Sequence, residues 1–294
     1  MKQDKAVGWL VLGYVGLSFF IFTMFSRIGT LRLIPEISTQ AYLQQSPSLK
    51  FTDFFIQQPT SSLIILILAG LTIALGLHYL MSLRSRFTYW IGVNFIFWGF
   101  GAVFAGISYQ AFGYALKCLD LTSCMFTDWL ELFYMTLSVL SINAILVAYA
   151  SLMHDYKVAV LLKKGALLSI GVYTIFQGIG MLIPIRFMLS YEGLLLFLCP
   201  NLIIFMILSY KNRTERLHQR LLNLWIGFIL INIVYFIALY GNLGALILKQ
   251  TGFWFNENDI LHVLLIIWMI AWWIKIPSHG LKQRHRDIQQ QDIA

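Results

Sequence analysis

The chain has 294 residues, of which 59% are hydrophobic and 12% charged, with a formal net charge of +8. Soluble domains carry about 45–50% apolar and about 25% charged residues, so this composition belongs in lipid and excludes an ordinary water-soluble core. The positive excess does not point to nucleic acid: the basic residues lie at the ends of apolar runs and in the tail, with no basic stripe interleaved with aromatics, and membrane topology accounts for them.

A helix needs about 20 apolar residues to cross a bilayer, and eight stretches approach that length. The first, Gly8 to Phe25, has the basic start of a signal peptide, but no small-residue cleavage site follows it, so it reads as a span. The connection from Ser26 to Ser61 is broken by Pro35, Pro47 and Pro59. Its Phe51, Phe54, Phe55 and Ile56 predict a segment lying on the bundle, either as a lid over an outer pocket or as a plain amphiphilic connector. Seven further spans follow: Ser62 to Ser82, Phe87 to Ser108, Asp128 to Ser151, Gly165 to Ile183, Phe187 to Tyr210, Leu221 to Leu243 and Asp259 to Ile276. Pro200-Asn201 interrupts the sixth span and predicts a kink whose unpaired carbonyl is satisfied by Asn201 or a neighbouring helix. Gly70 with Ala74, Gly101 with Ala105, and Gly171 with Gly178 have the spacing of small-residue helix contacts.

The sum is an all-α polytopic transmembrane helix bundle of about eight spans, a leading helix before a seven-helix core (62–276), forming one domain over residues 1–276. Residues 277–294 read as a basic tail near anionic lipid.

On this layout 15 of the 21 Lys and Arg residues fall on the side of the two termini, and Arg27, Arg32, Lys50, Lys117, Arg186 and Lys249 fall on the other. The positive-inside rule therefore places both termini in the cytoplasm, as in a multi-pass protein of the inner membrane if the source is bacterial. Acidic residues run oppositely, with Glu36, Asp53, Asp120, Asp128, Glu131, Glu192, Glu257 and Asp259 outside or at outer helix ends. No Asp, Glu, Lys or Arg falls near a predicted midplane, whereas pumps commonly keep an ionisable group there. Asn94, Asn143, Asn201 and Asn232 are the polar amides within spans.

Three cysteines form neither a disulfide framework nor a CxxC knuckle. Cys118 and Cys124 flank a short outer loop and are either paired or two separate thiols, while Cys199 lies alone in an apolar run and reads as packing.

Two helix starts carry the candidate chemistry. Asp128-Trp129-Leu130-Glu131 and Asp259-Ile260-Leu261-His262 place pairs of potential ligands three residues apart, hence on one helical face, at the same membrane level. Asp128, Asp259 and His262 offer oxygen and imidazole ligands to a divalent metal such as zinc. Asp128, Glu131 and His262 form the candidate catalytic set, with Glu131 as a possible general base. Ser108, Tyr109 and Gln110 at the end of the third span and Glu192 at the start of the sixth are candidate substrate contacts. A capping reading stands beside this one: Asp128 with Glu131 has the spacing of a capping box, Asn258-Asp259 suits a helix start, and acidic groups there are favoured by the helix dipole. His262 reads equally as a hydrogen-bonded structural residue.

In order and position these features resemble the alkaline ceramidase and adiponectin-receptor superfamily of seven-span membrane hydrolases. That family carries Ser and His late in its second core helix, Asp at the start of its third and His-xxx-His in its seventh, with zinc on three His. The segment from Gly101 to Gly106, the Asp128 helix start and the segment around His262 occupy the corresponding places. The resemblance implies a lipid amide or ester hydrolase or a lipid-binding relative. Two departures matter: Ala102 and Gly106 stand at the family Ser and His, and only His262 is available for the seventh-helix pair, so the three-His zinc site is absent. The expected partners are membrane lipids and a lipid or amphiphile substrate, with no nucleic acid. The alternatives are a carrier or channel, for which the span asparagines would line a polar path, and an assembly subunit of a membrane complex.

Overall fold

The computed structural model describes residues 13–24, 31, 34–44, 47–50, 55–82 and 85–276. Of the leading apolar segment, Gly13–Met24 is described and is helical (α1); the remainder of the expected Gly8 to Phe25 stretch lies outside the described residues. The following connection forms β1 (Pro35–Ser38), α2 (Thr39–Gln44), β2 (Ser48–Lys50) and β3 (Phe55–Gln57). Then come α3 (Pro59–Ser82), α4 (Arg86–Ala105) with its π-helical continuation Gly106–Ala111, α5 (Gly113–Lys117) and β4 (Ser123–Met125). The rest is helical: α6 (Trp129–Ala150), α7 (Tyr156–Leu182), α8 (Tyr191–Lys211), α9 (Arg216–Tyr240), α10 (Leu243–Thr251) and α11 (Glu257–Lys275). Seven of these helices, α3, α4, α6, α7, α8, α9 and α11, are long and apolar enough to cross a membrane, which makes the chain a multi-pass helical membrane protein.

Helix starts follow from local chemistry. Ser85 and Thr88 form a capping box at α4, Asp128 caps α6 and Ser190 caps α8. At α7 the expectation of a start near Gly165 is corrected. Asp155 accepts from the Lys157 amide at 2.7 Å and opens the helix at Tyr156, taking Lys157, Lys163 and Lys164 onto its first turns. Hydropathy alone misplaces such an end, because a helix continues through lysines whose heads reach the headgroup region.

Helix α6 is the bundle's centre, with 78% of its most apolar stretch buried against 17% for α7. Polar side chains tie it to its neighbours: Ser141 donates to Asn94 of α4 at 2.6 Å, and Thr136 donates to Gln177 of α7 at 2.9 Å while Gln177 donates to the Leu132 carbonyl at 3.0 Å. In lipid such bonds and close packing replace the hydrophobic drive that holds soluble helices together. Close packing falls on different glycines from those expected. A Cβ on Gly92 would lie 3.0 Å from the Gly76 carbonyl, and one on Gly99 3.1 Å from the Ala69 carbonyl, so α3 and α4 meet backbone to backbone. Gly101 does face α6, whereas Gly70, Gly171 and Gly178 have nothing within 4 Å of such an added atom. Cys199, read as a packing residue, is exposed. Helix α8 runs unbroken through Pro200, and Asn201 donates to the Phe197 carbonyl at 3.0 Å, next to the carbonyl the proline leaves without its amide partner.

The short strands gather at the end of the bundle where α4 finishes and α6, α8 and α11 begin. Here β1 pairs antiparallel with β4, matching Pro35 with Met125 and Ser38 with Ser123, and β2 pairs with β3. Cys118 and Cys124 form a disulfide that closes the loop between α5 and β4.

Candidate functional site

A cavity of about 320 Å³ opens at this end of the bundle. Its walls come from the first connection (Glu36, Tyr42, Gln57 and Gln58), the α4 to α6 connection (Tyr109, Lys117 and Phe126), Glu131 of α6, and the start of α8 (Leu189 to Glu192). The first connection thus forms part of the cavity wall. Of its expected aromatic patch, Phe55 packs edge-on to Tyr114 with ring centres 5.4 Å apart, and Phe51 and Phe54 lie outside the described residues.

Behind the wall is a buried charged network. Asp128 behaves as the capping reading expects: its Oδ1 accepts from the Leu130 amide at 2.7 Å and the Glu131 amide at 3.2 Å. Its other oxygen accepts from the Ser108 hydroxyl. Glu131 does not complete the box. Its carboxylate does not bond the N-cap amide but accepts from the Thr127 hydroxyl at 2.8 Å and from Ser108 at 3.2 Å, and forms an ion pair with Lys117. One serine proton therefore lies between two carboxylates, and one ammonium compensates them. The π-helical turn makes this possible, since its wider spacing directs Ser108 and Gln110 inward while Tyr109 is 41% exposed.

Lys117, on the cavity wall, is the candidate residue that sequence reasoning missed, since by sequence it is only one of the outer basic charges. It is 4% exposed, donates to the Phe126 carbonyl at 3.4 Å, and its ammonium lies 4.9 Å from the Tyr109 ring centre. Burial works against its charge, but Glu131 and Asp128 more than offset that, so its pKa is raised above the ordinary lysine value and it stays protonated. Burial also pushes the Tyr42 phenol up, which keeps it a neutral hydrogen-bonding group on the cavity wall. The available signal was position: Lys117 adjoins Cys118, and a closed Cys118 to Cys124 loop forces the chain back toward the bundle.

Asp259 belongs to another network. It forms a capping box with Asn256, one residue pair earlier than the Asn258-Asp259 start that was expected, and accepts from Ser61 of α3 at 2.9 Å. The remaining Asp259 oxygen, the His262 Nδ1 and the Gln110 carbonyl oxygen are buried without a hydrogen-bond partner. Among the expected substrate contacts Tyr109 and Glu192 line the cavity. Ser108 and Gln110 do not, and neither does Asp128. No group of three or more His, Cys, Asp or Glu side chains able to hold a metal ion occurs among the described residues, so the Asp128, Asp259 and His262 set does not fit zinc. Asn143, Asn201 and Asn232 each donate to the carbonyl four residues back in their own helix, Asn143 also donates to Ser169 of α7 at 3.3 Å, and Asn94 accepts from Ser141 of α6.

Comparison of the chain with family profiles, with curated proteins and with solved structures returned no match.

Proposed function

We propose that this membrane protein binds the polar head of a lipid or other amphiphile in the cavity walled by Glu131 and Lys117, as a lipid-binding relative of the seven-span hydrolases that works without zinc. The observation carrying the proposal is the cavity itself. It lies at a helix-end level of the bundle, has the volume of a small-molecule site, and is backed by a buried Ser108, Asp128, Glu131 and Lys117 network that holds its polar wall rigid.

The cavity faces outward on this reading. The side opposite the basic-rich segments carries it, and the Cys118 to Cys124 disulfide at the same end suits an oxidising compartment. The Ser108 to Asp128 bond joins the end of one core helix to the start of the next, although Ala102, not Ser108, stands at the family's Ser position. Here the Ser108 and Asp128 pair buttresses Glu131 from behind the cavity wall.

Native mass spectrometry of the purified protein should show a co-purifying amphiphile, retained by the wild type and lost from the Lys117→Ala/Glu131→Ala double variant. Metal analysis should find no stoichiometric zinc. Stoichiometric zinc together with turnover of lipid amides would replace this reading with the hydrolase.

A further inference from the structure

On the reading that the cavity holds the head of an amphiphile, we infer that the head it selects is cationic, a protonated amine or a quaternary ammonium. The wall carries three carboxylates, Glu36, Glu131 and Glu192, and one ammonium, Lys117. Lys117 and Glu131 are paired with each other and almost fully buried, so that pair presents little net charge to an occupant. Glu36 on β1 and Glu192 on α8 are exposed at the rim, and no ion pair among the described residues engages either. Arg186, a further cation near the rim among the described residues, donates to the Pro35 carbonyl at 2.6 Å and lies 5.0 Å from the Phe126 ring centre, so its guanidinium is held by main chain and ring. Counting Asp128 behind the wall, the local balance among the described residues stays negative even with Arg186 included.

The aromatic lining has the same preference. Ring faces attract cations, and two wall rings already hold protein cations, Lys117 at Tyr109 and Arg186 at Phe126. Tyr42 and Tyr191 bring two more rings to the same space. An anionic head would instead approach two carboxylates that no ion pair among the described residues engages, and find the buried ammonium already engaged.

The test uses the full chain in dodecyl maltoside, with binding followed by protein fluorescence and by protection against thermal unfolding. Dodecyltrimethylammonium should bind saturably and dodecyl phosphate should not. Glu36→Gln/Glu192→Gln should weaken the cationic probe by about tenfold, with Glu192→Lys weakening it further, while the unfolding midpoint without ligand stays within a degree or so of wild type, as expected for exposed positions. Equal binding of dodecyl phosphate, or unchanged affinity of the cationic probe in both variants, overturns the inference. Tetramethylammonium binding as tightly as the chain-bearing cation would keep the cation preference and remove the amphiphile reading. Saturable binding of dodecyl probes irrespective of head charge would keep the amphiphile reading and remove the preference. Binding of none of the probes removes both.

Discussion

The two ends of the bundle are built on opposite plans. At the end away from the cavity, Tyr79, Phe95, Tyr149, Phe205, Trp225, Trp268 and Trp272 pack into one aromatic cluster, and its polar tips other than the Trp272 indole nitrogen are bonded inward. Tyr79 donates to the Ile276 carbonyl at 2.6 Å, Trp225 to the Tyr149 hydroxyl at 2.8 Å and Trp268 to the Leu224 carbonyl at 2.7 Å. At the cavity end, space is left between elements, and buried charges stand where rings would otherwise fill it. The aromatic end holds the helices in register. The cavity end keeps a buried ion pair and a void in place, the arrangement on which the proposed binding site rests.

The largest effect should come from breaking the charged layer. Lys117→Ala leaves Glu131 buried without its counter-ion and should cost about 3–5 kcal/mol, while Lys117→Ala/Glu131→Gln should recover most of that; thermal unfolding in detergent measures both. Equal losses in the single and double variants would mean that packing around Lys117, and not charge, matters there. Trp225→Ala at the other end should cost about 3 kcal/mol and leave ligand affinity nearly unchanged, separating scaffold from site.

Opening the Cys118 to Cys124 loop by Cys118→Ser/Cys124→Ser should cost about 2 kcal/mol from the entropy of so short a loop. It should weaken ligand binding more than Trp225→Ala does, because Lys117 adjoins the bridge. The α3 and α4 seam gives a smaller contrast: Gly92→Ala, facing the Gly76 carbonyl, should cost about 1–3 kcal/mol, and Gly171→Ala, with open space around it, should lie within about 0.5 kcal/mol of wild type. The smallest effect is alkaline. The raised Lys117 pKa means that its stabilisation is fully present below the ordinary lysine value, about pH 10, and is lost as pH rises through the folded-state value. A stability-against-pH curve should therefore fall on that limb, and less so in the Lys117→Ala/Glu131→Gln variant.

Much of the fold was legible along the chain. Apolar runs located the seven long helices to within a few residues at most ends, and Asp128 was readable as a cap because capping is a matter of three adjacent positions. The site was legible only in part. Tyr109, Glu131 and Glu192 line the cavity, while Asp128 and Ser108 stand behind it and Asp259 pins α11 to α3. Helical spacing tells which side chains share a face, but not which neighbouring helix that face meets. Lys117 was invisible for a related reason: its burial depends on a disulfide loop and on β4 pairing with β1 from a distant part of the chain. Helix α10 escaped because it is too short to register as a span, beginning after Asn242 in the left-handed region and ending at Gly252 with φ +71°.

Composition, hydropathy and capping by themselves determined that the protein lives in a membrane, roughly where its helices start and stop, and that its carboxylates collect toward one end. These depend on transfer into lipid and on bonds between near neighbours, both encoded locally. Only the tertiary structure decided that Glu131 pairs with Lys117, that Asp128 and Asp259 serve separate networks, and that a cavity opens between the first connection and α8. Those outcomes require groups far apart in sequence to meet where water is scarce, and there a charge takes whichever partner the packing brings to it.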